Sequence, residues 1–110
     1  MISTGKETRM SENSFKAVPT IDDLRTEIDT IDSDLLITFN RRASLALEIG
    51  KIKKTSGLAV YDPAREKRIF DRMRSENPGP LDNQAIVRLF ERVIDESRRL
   101  ERIMTANEAE

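Results

Sequence analysis

From Ile21 to about Thr55 the chain carries no proline and a single glycine, Gly50. Leu24, Ile28, Ile31, Leu35, Phe39, Ala46 and Ile49 recur through this stretch at helical spacing. One continuous helix of that extent is roughly 50 Å long at about 1.5 Å per residue. The whole chain has only 110 residues, and a compact domain of about 100 residues has a radius of gyration of about 13 Å. A three-helix monomer of this size cannot bury the full stripe. The surplus apolar surface calls for a partner, and an isologous homodimer is the commonest solution.

Local signals place the other boundaries. Thr20 is an N-cap, and Asp22 and Asp23 fall in the first turn, where the helix dipole favours negative charge. Ser56-Gly57 is a stop signal, and Asp62-Pro63 opens a second helix with proline in its first turn, running to about Ser75. "NPGP", residues 77–80, is a loop. A third helix starts near Leu81-Asp82 and runs to about Met104. Residues 1–19 are polar and aperiodic and are expected to form a disordered tail, within which Met10 is a second candidate initiator. The expectation is therefore an all-α chain of three helices, one very long. The helical domain occupies 20–104, with a frayed end at 105–110.

Composition removes whole classes of chemistry. There is no cysteine and no histidine, so disulfides, thiolate catalysis, Ser-His triads and most zinc or iron sites are excluded. A carboxylate-only magnesium or calcium site stays possible, but no Asp/Asn-rich loop with a central glycine suggests one, and no metal is expected. The 19 Lys+Arg against 20 Asp+Glu give a formal charge of −1, which supplies no global attraction to nucleic acid or to an anionic membrane. No apolar run approaches the roughly 20 residues of a membrane span. The N-terminal stretch lacks the apolar middle of a signal peptide, and a cytoplasmic location is expected.

The informative residues are charges on apolar faces. With Ile28 at zero, the first helix's stripe falls within roughly −60° to +20° on a helical wheel, and Arg42 and Lys53 lie inside it at about −40° and −20°. Arg41, at about −140°, is on the wet side, while Arg25, at about +60°, flanks the stripe. On the third helix Ser97 sits within the stripe of Ile86, Phe90, Val93, Leu100 and Met104, and Glu101 borders it one turn on. On the second helix Arg65 and Glu66 share an arc with Ile69 and Met73. Buried ion pairs such as Arg42–Glu101 or Lys53–Glu66 are one explanation. The cations Arg42, Lys53 and Arg65 outnumber the inward acids, however, and a bound anion resolves the excess. Arginine suits bidentate carboxylate binding and lysine a point charge. An interior pocket for a small polyanion is the consequence.

Four segments, "LRTEIDTIDSDLL", "RRASLALEIGKIK", "VYDPAREKRIF" and "LFERVIDESRRLE", in this order and spacing, resemble the all-helical chorismate mutase family over about residues 21–103. The resemblance implies an intertwined homodimer that converts chorismate to prephenate, toward phenylalanine and tyrosine, with no cofactor. By matching position it implies that Arg42 holds a substrate carboxylate within its own subunit and that Arg25 reaches the other from the second subunit. Lys53 then donates to the ether oxygen and a carboxylate. Arg65 contacts the enolpyruvyl carboxylate region. Glu66 accepts from the ring hydroxyl, aided by the backbone near Asp62, and Ser97 lies near a ring carboxylate. Glu101 stands where bacterial members carry glutamine and some fungal relatives carry glutamate. Lys53, Glu101 and Arg42 are the catalytic candidates.

Two other readings stay open at this level. An isochorismate-pyruvate lyase would use the same cation cage to eliminate pyruvate, and a non-catalytic helical interaction module would pair its inward charges with one another. A nucleic-acid adaptor is disfavoured, because Arg98, Arg99 and Arg102 are few beside Glu91, Asp95 and Glu96. A partner enzyme of the aromatic pathway remains an open expectation.

Overall fold

The computed structural model describes residues 18–109; the expected tail falls almost wholly outside them. Three helices follow one another: α1 (Ile21–Ser56), α2 (Pro63–Glu76) and α3 (Asn83–Ala109). No strand occurs among the described residues, and no described helix is long and apolar enough to cross a membrane. The chain divides into two units, Met1–Leu36 and Ile37–Glu110.

In the first unit, helix α1 begins on a reciprocal cap. The Asp23 amide donates to Thr20 Oγ1 at 3.0 Å, and the Thr20 amide donates to Asp23 Oδ2 at 2.9 Å. A cap of this kind is worth about 1 kcal/mol. Leu24, Ile28, Ile31 and Leu35 are 43–56% exposed, so the stripe of this unit is open along its length.

In the second unit α2 and α3 pack on each other, with Ile69 and Ile94 buried between them. Helix α1 ends where the glycine allows it to. Gly57 has φ +73°, the left-handed conformation of a helix C-cap, and the Leu58 amide returns to the Lys53 carbonyl at 2.7 Å. Asp62 then caps α2, its Oδ1 accepting from the Arg65 amide at 3.0 Å, and Pro63 occupies the first helical position. Asp82 caps α3 in the same way through the Ala85 amide at 2.8 Å. Helix α3 continues to Ala109, past the end expected near Met104. The sequence holds neither glycine nor proline after Pro80, so no backbone signal stops it earlier.

Candidate active site

The second unit contains a cavity of about 310 Å³. Its walls combine residues from all three helices and the α1–α2 loop. The latter part of α1 supplies Arg42 and Lys53, the α1–α2 loop Val60 and Asp62, α2 Arg65 and Glu66, and α3 Ser97, Arg98 and Glu101. Leu45, Ile49, Ile69 and Ile94 make the apolar part of the wall. Seven of the eight candidates named from sequence thus border one space. The eighth, Arg25, lies in the first unit with its side chain 72% exposed and its guanidinium 4.0 Å from Asp22.

Arg42 Nη1 donates to Ser97 Oγ at 3.2 Å. Burial holds this guanidinium below its usual pKa range, and the neighbouring charges of Arg65 and Arg72 lower it further. The folded chain therefore keeps a cation where its own environment opposes one. Lys53 Nζ donates to the Val60 carbonyl at 3.2 Å. The Gly57 turn makes this contact by folding the loop back over the last turn of α1. The alternative pairings Arg42–Glu101 and Lys53–Glu66 do not form. Among the described residues, Arg42, Lys53 and Arg65 have no side-chain carboxylate within ion-pair distance. Glu66 is taken instead by Arg98, Nη1 to Oε2 at 3.0 Å.

Glu101 is 7% exposed. Burial raises its pKa, against the opposing pull of Lys53 and then Arg98. Close packing makes the site possible. Gly50, the buried residue of α1, lies so near that a Cβ built there would meet Glu101 Oε1 at 2.8 Å and Cγ at 3.3 Å. Gly50→Ala should therefore displace the Glu101 carboxyl. The gain of roughly 0.8–1 kcal/mol in helix propensity offsets the cost to the fold. The expected result is a thermal midpoint close to wild type and, if Glu101 acts on a bound substrate, activity lowered about tenfold or more. Steady-state kinetics with a melting curve checks it.

Sequence reasoning missed Gly50, Val60 and Arg98 as site residues. Gly50 had one signal, being the sole glycine of a long helix, which marks either a tolerated defect or a close approach. Arg98 had none: it lies about 100° round the helix from Ser97, on what reads as a wet face. Among the described residues no cluster of three or more His, Cys, Asp or Glu is arranged to hold a metal.

The sequence profile described as chorismate mutase type II matches residues 24–102. The chain belongs to the chorismate mutase type II family. The bifunctional chorismate mutase/prephenate dehydratase of Neisseria gonorrhoeae is 42% identical over 90 residues, covering 78% of this chain and 24% of that protein. The chain thus spans about a quarter of that relative's length. The 4-amino-4-deoxychorismate mutase of Streptomyces venezuelae is 32% identical over 87 residues, covering 78% of this chain and 84% of its own. A chorismate mutase structure from Thermus thermophilus superposes with a TM-score of 0.73 at 35% identity, covering 74% of this chain and 93% of that one. Every candidate from Arg25 to Glu101 falls inside the span that matches the chorismate mutase type II family.

Proposed function

We propose that the chain is a chorismate mutase, converting chorismate to prephenate without a cofactor. The observation that carries the reading is the cluster of Arg42, Lys53 and Arg65 around one cavity, with no side-chain carboxylate paired to any of them among the described residues. In a protein of near-zero net charge, such a cluster suits a small dianion.

The reaction asks little chemistry of the side chains. The ether C–O bond breaks as a C–C bond forms between the enolpyruvyl carbon and the ring, and the electrons move round one six-atom cycle. Holding both carboxylates keeps the substrate in the folded, reactive conformer. Negative charge grows on the ether oxygen as the bond opens. Lys53 and a protonated Glu101 donate there, and bind the transition state more strongly than the ground state. A millionfold acceleration corresponds to roughly 8 kcal/mol. Glu66 accepts from the ring hydroxyl. The Streptomyces relative is named for an amine in that hydroxyl's place; the hydroxyl substrate is assigned here. Chorismate depletion by the purified chain, with product identified as prephenate, tests the reading. Salicylate and pyruvate from isochorismate would replace it with the lyase, and absence of turnover on both would replace it with an interaction module.

A homodimer with shared sites belongs to the same proposal. Leu24, Ile28, Ile31 and Leu35 are supported as its contact face by their exposure. Each contributes roughly 1.5–3 kcal/mol when fully buried. Arg25 then serves the site of the other subunit. Mixing Arg25→Ala with Arg42→Ala chains should restore turnover, because each heterodimer holds one site with both arginines. Subunit exchange without recovered activity would place Arg25 in its own subunit's site or outside the site altogether. A cytoplasmic location and a partner enzyme of the aromatic pathway complete the proposal. The pairing of mutase with prephenate dehydratase in the name of the gonococcal relative supports such a partner.

A further inference from the structure

Arg98 is held on three sides. Nη1 donates to Glu66 Oε2 at 3.0 Å, Nη2 pairs with Asp95 one turn earlier, and the guanidinium carbon lies 5.1 Å from the centroid of Tyr61, the chain's single tyrosine. A guanidinium over an aromatic face is attracted by the ring's quadrupole. The side chains of Arg98 and Glu66 are 25% and 20% exposed, so solvent screens their pairing less than it screens a surface bridge. The pairing has two consequences for Glu66. One carboxylate oxygen is engaged by Arg98, which leaves the other to accept from a ligand. The negative charge is also balanced by a cation in direct contact.

We propose that Arg98 is a positioning residue that sets substrate choice at the ring: by pairing with Glu66 it makes that carboxylate an acceptor for a neutral hydroxyl and disfavours an ammonium in the same place. The proposal rests on the chorismate reading above. A bare, half-buried carboxylate is a natural partner for an alkylammonium, since opposite charges in contact form the stronger hydrogen bonds. With Arg98 paired to it, the carboxylate's charge is already partly balanced, so an incoming ammonium gains less from contact with it than it would from a bare carboxylate. The other ionic groups around the cavity, Arg42, Lys53, Asp62, Arg65 and Glu101, are common to both substrates. Their effect on the substrate ratio is the same in wild type and in the Arg98 variants, so it cancels when the ratio is compared between proteins.

The test is the ratio of kcat/KM for chorismate to that for 4-amino-4-deoxychorismate, near neutral pH, where an alkylamine is protonated. It is measured for the wild type and for Arg98→Met, Arg98→Gln and Arg98→Lys. Because both substrates are assayed on the same preparation, a loss of folded protein leaves the ratio unaffected, and Arg98→Gln is a second neutral variant if Arg98→Met does not fold. The ratio should shift toward the amine at least about tenfold in both neutral variants, and Arg98→Lys, which keeps the cation, should stay within about threefold of wild type. In a Glu66→Gln background the ratio should no longer respond to Arg98, because the group through which it acts is gone. An unchanged ratio in the neutral variants, with chorismate still turned over, overturns the proposal alone. An equal shift in the Glu66→Gln background overturns the positioning role, since Arg98 would then act on the substrate directly. Absence of chorismate turnover by the wild type overturns the functional reading, and this proposal with it.

Discussion

Lys53→Ala and Arg42→Ala are each expected to lower kcat/KM about a hundredfold or more, a loss of roughly 2.7 kcal/mol in transition-state stabilisation. The two variants should differ in what they do to the fold. Lys53 holds the α1–α2 loop through the Val60 carbonyl at 3.2 Å, and losing that bond costs about 1 kcal/mol. Arg42 stands in the opposite position. Burial, Arg65 and Arg72 all disfavour its charge, so removing it relieves repulsion that the folded chain otherwise sustains. Arg42→Ala should therefore melt at or above the wild-type temperature while losing activity, as expected of a residue kept for binding rather than stability. Melting curves and steady-state rates on both variants check this. Near-wild-type activity in either would remove it from the site, and a large drop in melting temperature for Arg42→Ala would show that its packing and its bond to Ser97 outweigh the repulsion.

Glu101 should make activity fall as pH rises. An ionised carboxylate only accepts hydrogen bonds and would repel the negative charge growing on the ether oxygen. The group must keep its proton to donate. Burial raises its pKa, and Lys53 and Arg98 oppose that rise without cancelling it. A bound dianion offsets those cations and favours the proton further. The best kcat/KM is expected on the acid side of neutrality, declining through the Glu101 titration. Glu101→Gln donates at any ordinary pH, so it should flatten the profile and keep or raise activity at about pH 8. Glu101→Ala should be poor throughout. Stability carries the same sign. The folded chain binds this proton more tightly than the unfolded chain does, so the group's contribution is fully present below the unfolded pKa. It is lost as pH rises through the folded one. Glu101→Gln should accordingly be more stable than wild type on the alkaline side. A wild-type profile flat from about pH 5 to 8, and unchanged in Glu101→Gln, would separate this residue from the breaking bond.

The helices themselves were legible in the residues. Thr20, Asp62-Pro63, Ser56-Gly57 and "NPGP" mark ends that fall within a residue or two of the observed ones, because caps and stops act through their own backbone neighbours. Periodicity likewise singled out Arg42, Lys53, Ser97 and Glu101, since the angle about a helix axis depends on position in the chain alone. What each polar group touches was decided by the tertiary structure. Arg98, on a face that reads as wet, turns under Tyr61 to take Glu66, so the Lys53–Glu66 pair does not form and Lys53 is left to the loop. Gly50 reads as a weak point in a long helix, and only the approach of Glu101 from α3 makes it a requirement. A helical wheel gives direction about one axis. Depth, partner and the proton on a buried carboxyl depend on where the other helices lie, and these are set only when the chain packs.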